Sequence, residues 1–166
     1  MHKNIGDSIL KICSILIKNN VEYLIVGGTA VALYGYFRWS LDTTGKISEK
    51  YDLDIWYNPT YPNYFKLLDA LEELGQDVTE FKDEQTPNPK SSFFRFEMEK
   101  FTLDFLPKLK ELSKFRSSFE KKEIVSFNGI DIFVISFDDL IKDKKANSRP
   151  KDLADIKQLL DKRKSK

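Results

Sequence analysis

The chain has 166 residues, with 27 Lys and Arg against 26 Asp and Glu, and its formal net charge of +1 excludes a strong overall field toward nucleic acid. Apolar residues form 41% of the chain and include 13 Phe, which is enough for one sizeable core, while the single Cys13 excludes an internal disulfide framework. No apolar run approaches the roughly 18 residues of a membrane-spanning helix. We therefore expect a soluble, cytoplasmic protein with one domain over 1–166.

The first third of the sequence predicts a helix, a strand and a second helix. Apolar residues recur with helical spacing over 5–19, where Cys13 is interpreted as a packed residue and not as a nucleophile. A strand over 22–26 and a helix over about 28–36 follow. Residues 38–51 have no clear period, which favours a mobile loop.

The middle of the chain alternates between strand-like and helical patterns. The predicted elements are a strand over 52–57, a helix over 61–75, a short extended piece over 78–82, and two extended runs over 93–98 and 101–106 that form a hairpin.

A helix is predicted over 108–119, followed by the clearest hairpin signal of the sequence. The apolar runs 123–127 and 130–135 are separated by Asn128-Gly129, the dipeptide preferred in type I′ turns. Ser136 then resembles the N-cap of a helix that continues to about residue 145.

The sequence ends in a helix with a basic C-terminus, for which a solvated helix end is favoured over RNA contact. The apolar residues expected to face inward are Leu153, Ile156, Leu159 and Leu160. Within the single domain, we expect a core over about 20–135 and C-terminal helices over about 136–163.

Two glycines and a hydroxyl stand where the strand over 22–26 passes into a helix. Gly27 and Gly28 permit a sharp turn and a close approach of a ligand to the backbone, and Thr29 adds an O–H donor. The N-terminus of a helix also presents unpaired N–H groups to an anion. The segment is a candidate phosphate-binding turn, although taken alone it also fits a purely structural turn.

Two aspartates one residue apart provide the second motif. In the strand over 52–57, the period of two places Asp52 and Asp54 on one face and apolar residues on the other. Asp104 lies in a similar apolar run, and it would join them if the two strands were neighbours. Three such carboxylates would repel one another unless a cation were bound, and hard oxygen ligands favour Mg²⁺ or Mn²⁺.

Taken in order, these elements resemble the nucleotidyltransferase superfamily that includes polymerase beta. The superfamily pattern is a hydrophobic strand, a diglycine, Asp-x-Asp and a third Asp on a later strand. The chain is more closely similar to a small bacterial and archaeal branch related to abortive-infection toxin nucleotidyltransferases. That branch has a C-terminal signature that matches Leu140 to Asp155, with its lysine at Lys144.

The resemblance implies a fold and an activity. The fold is α/β (α+β), with a mixed, mostly antiparallel sheet flanked by helices. The activity is transfer of a nucleoside monophosphate from a nucleoside triphosphate to an acceptor, with a two-ion Mg²⁺ (or Mn²⁺) site. Asp52 and Asp54 would hold both ions, and Asp104 would hold the ion nearest the acceptor and take the acceptor's proton.

The resemblance also implies residues for the triphosphate. Gly27, Gly28 and Thr29 would bind its β- and γ-phosphates. The cationic candidates are Lys144, Lys151, Arg149 and Arg38. Charged residues near helix ends are also commonly solvated or paired with neighbours, and that alternative stays open for Lys144, Arg149 and Lys151.

One departure from the family pattern concerns the distance between motifs. Thirteen residues, Trp39 to Tyr51, separate Arg38 from Asp52, more than is usual in the family, and this loop would either shape acceptor specificity or obstruct it. Ser148 also replaces a Gly that is common in the branch.

Several questions stay open at the level of sequence. The acceptor alternatives are an RNA or tRNA end, a protein side chain and a small molecule such as an aminoglycoside or lincosamide. A toxin–antitoxin role, a homodimer and an antitoxin partner are further alternatives. Two rival interpretations are a nucleotide-binding module of the same fold without turnover and a structural or interaction protein.

Overall fold

The computed structural model describes residues 3–34 and 51–164 of the chain. Within these ranges the helices are α1 (Lys3–Lys18), α2 (Gly27–Leu33), α3 (Tyr61–Glu73), α4 (Thr79–Lys82), α5 (Phe115–Glu120), α6 (Phe137–Asn147) and α7 (Pro150–Lys164), with a 3₁₀ turn at Pro89–Ser91.

The described strands form one sheet. They are β1 (Tyr23–Val26), β2 (Tyr51–Tyr57), β3 (Phe94–Glu97), β4 (Phe101–Leu106), β5 (Glu123–Phe127) and β6 (Ile130–Val134). Their spatial order is β3-β4-β2-β1-β6-β5. The pairs β2–β4 and β1–β6 are parallel and the other neighbours are antiparallel, which confirms the predicted mixed, mostly antiparallel sheet.

The centre of the sheet is the most buried part of the core. All four residues of β1 and the first five of β4 are buried, as expected for strands covered on both faces. Helix α1 contacts β6 and α3, whereas α2 contacts β1, β2 and α6, and α7 packs on α6. Cys13 is fully buried in α1, where burial raises the pKa of its thiol to about 11, so it packs as an apolar residue.

Most of the predicted elements are confirmed, with small shifts at their ends. The hairpin of β5 and β6 turns at Asn128 and Gly129, which both have positive φ (51° and 79°), as a type I′ turn requires. The Ser136 side chain accepts a hydrogen bond from the backbone N–H of Asp139, so the predicted cap of α6 is also confirmed.

The extended piece predicted over 78–82 is wrong, because this segment forms the short helix α4. The Asp77 carboxylate accepts a hydrogen bond from the Thr79 N–H at 3.1 Å, which turns the chain into a helical turn. Phe81 then packs edge-on against Phe94, with ring centroids 5.0 Å apart.

The helix predicted over 108–119 is reduced to α5, which begins only at Phe115. Leu109 and Leu112 are partly buried against the core, and their spacing imitates a helical stripe. The buried Phe115 fixes the true helix, since its ring contacts the Trp56 ring edge-on at 5.2 Å between centroids.

The predicted inner face of α7 is half right. Ile156 and Leu159 are buried, whereas Leu153 is 55% exposed and Leu160 is 37% exposed. Asp152 and Asp155, fully buried, take the inward positions instead.

The predicted loop over 38–51 lies outside the described residues, apart from Tyr51, which begins β2. Among the helices that are described, none has both the length and the apolar composition needed to cross a membrane.

Candidate active site

Strand pairing brings the predicted carboxylates to one region of the sheet. Strands β2 and β4 are parallel neighbours, and their register places Asp54 directly beside Asp104 and Asp52 beside Thr102. Because side chains alternate along a strand, all three aspartates point to the same face of the sheet. Asp104 is 5% exposed, whereas Asp52 is exposed to solvent.

The diglycine turn lies against this group. Val26 pairs with Asp54 across β1 and β2, so Gly27 follows directly beside the carboxylate. Gly27 has φ +66°, and a Cβ placed on it would lie 2.6 Å from the Asp54 Oδ2. Only glycine satisfies both the positive φ and the close approach, and Gly27 and Gly28 are the first two residues of α2.

The Thr29 side chain connects α2 to β2. It is 7% exposed, and its hydroxyl donates to the main-chain oxygen of Asp52 at 3.2 Å. This hydrogen bond fixes the start of the helix against the strand that carries the aspartates. A role for Thr29 in phosphate binding stays a prediction.

The surroundings of Asp54 disfavour its charged form. Burial, and then the charges of Asp104 and Asp52, raise the pKa of the Asp54 carboxyl to about 6, with Lys144 and Lys151 acting in the opposite direction. These influences place both lysines within electrostatic range of the carboxylates. A bound cation would relieve the repulsion.

Arg95 of β3 neutralises the third carboxylate. The register pairs Arg95 with Asp104, and its Nε and Nη2 donate to Oδ1 and Oδ2 respectively, each at 2.9 Å. The Arg95 side chain is 59% exposed, and its guanidinium carbon lies 5.5 Å from the ring centroid of Phe93. Asp104 is therefore buried but held in a bidentate, charge-assisted pair.

The carboxylate oxygens at this site are chemically suited to binding a divalent metal ion. The carboxylates are hard oxygen donors, and a cation would compensate the charges of Asp104 and Asp52, which act together with burial to raise the pKa of Asp54. Within the described part of the chain, however, no three His, Cys, Asp or Glu side chains are arranged to hold an ion as they stand. Asp52 and Asp54, with Asp104 once released from Arg95, are the residues that would hold Mg²⁺ or Mn²⁺.

Lys144 is the centre of a buried ion network between α6 and α7. Its ammonium lies 3.1 Å from Asp152 Oδ1 and 3.0 Å from Asp155 Oδ2, and all three side chains are at most 3% exposed. The Arg149 Nε and Nη2 also donate to the Asp152 carboxylate, at 2.6 and 3.1 Å. The charge of Lys144 is thus engaged within the fold, although it still acts on Asp54.

The other predicted cations lie at the surface or outside the described residues. Lys151 is exposed in the first turn of α7, and Arg149 is 54% exposed and acts on the charge of Asp54. Arg38 belongs to the residues that the structure does not describe.

Sequence reasoning missed Arg95, and it missed the burial of Asp152 and Asp155 around Lys144. The alternation of Arg95 with Phe94 and Phe96 shows that it faces away from the core. The register that brings it to Asp104 could not be deduced from that pattern, because register depends on the whole sheet.

Comparisons with known proteins agree with this architecture. No protein-family model matches the sequence, and no curated protein sequence matches it. Solved structures do match over almost the whole chain, and they show that the protein has the nucleotidyltransferase fold.

Three of these solved structures resemble this chain to a similar degree. The lincosamide antibiotic adenylyltransferase LnuA, in its lincomycin-bound crystal structure, has a TM-score of 0.57 and 17% identity, over 92% of this chain and 94% of that one. A Thermotoga maritima protein assigned as a nucleotidyltransferase, TM1012, has a TM-score of 0.57 and 16% identity, over 98% and 96%. The solution structure of the antibiotic-resistance factor ANT(2″)-Ia has a TM-score of 0.58 and 16% identity, over 95% and 84%.

Proposed function

We propose that the protein is an Mg²⁺-dependent nucleotidyltransferase that moves a nucleoside monophosphate from a nucleoside triphosphate to an acceptor. The observation that carries the proposal is the register of two strands: Asp54 and Asp104 lie side by side next to the turn at Gly27. The nucleotidyltransferase fold of the chain supports the same activity.

The proposed reaction is an in-line displacement at phosphorus. An acceptor oxygen forms a bond to the α-phosphorus, the bond from that phosphorus to the bridging oxygen breaks, and pyrophosphate leaves with the bonding electrons. The divalent ions would polarise the phosphate and stabilise the charge that develops on both oxygens. Asp52 and Asp54 would orient the triphosphate through those ions, and Asp104 would accept the proton of the acceptor hydroxyl.

Backbone and basic groups would bind the triphosphate. Gly27 lies beside Asp54, and the N–H groups of Gly27 and Gly28 would hold the β- and γ-phosphates there. Arg149 and Lys151 are exposed near the same carboxylate and would neutralise the pyrophosphate. We assign Lys144 a more indirect part, because its ammonium is buried between two aspartates, whereas the guanidinium of Arg149, although paired with Asp152, is exposed.

Small molecules are the first acceptors to test, ahead of an RNA or tRNA end and a protein side chain. LnuA binds lincomycin and ANT(2″)-Ia is an antibiotic-resistance factor, and this chain aligns with 94% and 84% of their lengths. A toxin–antitoxin role, a homodimer or antitoxin partner and a cytoplasmic location rest on the sequence only.

A second candidate function is nucleotide binding without turnover. The bidentate pair between Arg95 and Asp104 favours it, because this pair occupies the carboxylate that the transfer reaction requires. If the pair were permanent, the nucleotide would bind but no monophosphate would be transferred.

Label transfer separates the two candidates. The purified protein is incubated with Mg²⁺, each of four α-³²P-labelled nucleoside triphosphates, and separate panels of aminoglycosides, lincosamides and total RNA. We expect label in one acceptor fraction, its loss in Asp54→Asn, and its retention in Asp69→Asn, which changes an exposed aspartate paired with Lys82. Nucleotide binding without any labelled product would favour the second candidate.

A further inference from the structure

The guanidinium of Arg95 stands where a cation is needed at Asp104. Its two nitrogens donate to the two oxygens of the carboxylate at 2.9 Å, and the Asp104 side chain has only 6% of its surface exposed. A bidentate pair uses both oxygens in the plane in which a metal ion would also approach them. The guanidinium and an ion therefore compete for one carboxylate.

The position of Arg95 makes this pair reversible. Arg95 belongs to β3, at the end of the sheet, and 59% of its side chain is exposed. The guanidinium itself can return to water, but it would leave a buried carboxylate behind, so it leaves only when another cation takes its place at Asp104. Lys144 differs, because its ammonium is itself buried, at 3% exposed, between two buried aspartates.

We propose that Arg95 is a built-in counter-ion that occupies Asp104 in the metal-free protein and is displaced when a divalent ion binds there. The inference rests on the proposed function and specifies how its metal site is regulated. Arg95 acts through Asp104 and is a positioning residue. Because Arg95 competes for Asp104, an ion at this site binds more weakly than it would to the same three carboxylates without Arg95.

The test is a titration with Mn²⁺ alone, in which the free ion is measured by electron paramagnetic resonance. Arg95→Gln removes the charge that competes for Asp104, and we expect the Mn²⁺ affinity to rise about tenfold, the lower end of what charge-assisted hydrogen bonds contribute. In an Asp104→Asn background, the same replacement of Arg95 should give no gain.

Arg116 offers a matched control. It is 54% exposed, pairs with Glu22 at 2.7 Å, and has its guanidinium carbon 5.4 Å from the ring centroid of Phe119. Arg116→Gln should leave Mn²⁺ binding unchanged. Urea unfolding of both variants shows whether a change in binding reflects a change in folding.

The possible results separate this inference from the proposed function. Mn²⁺ binding that depends on Asp54 but is unchanged or weakened in Arg95→Gln would overturn the counter-ion role and leave the proposed function intact. A gain in affinity that persists in the Asp104→Asn background would also overturn it, because Arg95 would then act through the general field only. Absence of Mn²⁺ binding in the wild type and in Arg95→Gln would overturn both.

Discussion

Gly27 joins β1 to α2 at the point where the backbone approaches the Asp54 carboxylate. A side chain there meets two obstacles, since φ is +66° and a Cβ would lie 2.6 Å from Oδ2 of Asp54. We predict that Gly27→Ala lowers the free energy of unfolding by about 2–4 kcal/mol, from backbone strain and overpacking together. Urea denaturation followed by circular dichroism measures the change.

Gly75 is the matched control for this variant. It also has positive φ, +93°, but a Cβ there has no atom within 4 Å. Gly75→Ala should cost about 1 kcal/mol, from backbone strain alone. Equal losses in the two variants would contradict the close approach of Asp54 to Gly27.

Asp54 gives the metal-free protein a pH dependence whose sign can be stated. Its pKa is raised from 3.8 to about 6, so between these values the folded protein holds a proton that the unfolded chain has released. The contribution of Asp54 to stability therefore falls as the pH rises through this window and is lowest above pH 6. The full penalty is up to about 3 kcal/mol.

The measurement compares Asp54→Asn with the wild type in urea at several pH values, with a chelator present. The neutral amide avoids the penalty, so the variant should gain in relative stability from pH 4 to pH 7, by up to about 3 kcal/mol. Asp69→Asn serves as the control at an exposed site. A difference between wild type and Asp54→Asn that did not change with pH would contradict the raised pKa.

At the scale of elements, α6 and α7 are held together by charge as well as by apolar packing. Lys144 lies between Asp152 and Asp155, and all three are buried. We predict that Lys144→Met lowers the free energy of unfolding by about 3–5 kcal/mol, because it leaves two buried carboxylates without their shared cation. Chemical denaturation at neutral pH checks the value.

Lys145→Met is the comparison, since Lys145 is the exposed neighbour of Lys144 on the same helix. It should change the stability by no more than about 0.5 kcal/mol. If Lys144→Met were as stable as Lys145→Met but failed to bind nucleotide, Lys144 would be a ligand for phosphate and not a structural cation.

These helices, the hairpin before them and the short helix α4 show which elements the sequence could predict. The Asn128-Gly129 hairpin and the Ser136 cap were predictable because their signals are local and depend on the chemistry of a few neighbouring residues. The buried face of α7 could not be predicted, because an aspartate is buried there only through its pairing with Lys144, which lies on another helix. The short helix α4 was missed for a different reason, because its four residues are too few to show a helical period.

At the scale of the whole molecule, the order of motifs predicted the fold better than any single motif did. A strand followed by a diglycine, Asp-x-Asp and a later Asp form one site only if β2 and β4 are neighbours, and the parallel register of these strands meets that condition. The sequence could not predict which other residues meet the three aspartates in the folded protein. Arg95 reaches Asp104 only through the pairing of β3 with β4, and residues 35–50, between α2 and β2, are not described.

Ligand binding should stabilise the whole domain if the site accepts a metal and a triphosphate. At a concentration 100 times the dissociation constant, a ligand adds about 2.7 kcal/mol. For a chain of this size we expect Mg²⁺ with the bound triphosphate to raise the melting temperature by about 5–10 °C. Differential scanning fluorimetry provides the measurement.

Two controls show whether the rise in melting temperature comes from the triphosphate and from the carboxylates. Mg²⁺ with the corresponding nucleoside, which lacks phosphates, should have little effect, and Asp54→Asn should lose most of the shift. No shift with any of the four triphosphates would indicate that the carboxylate face of the sheet is not a nucleotide site.

The most direct measurement is a crystal structure with Mn²⁺ and a non-hydrolysable nucleoside triphosphate, with the ions located by anomalous scattering. We predict anomalous peaks between the triphosphate and the carboxylates of Asp52 and Asp54, and the Asp104 carboxylate turned from Arg95 toward an ion. A triphosphate bound elsewhere, or no ion within coordination distance of Asp54, would contradict the proposed active site.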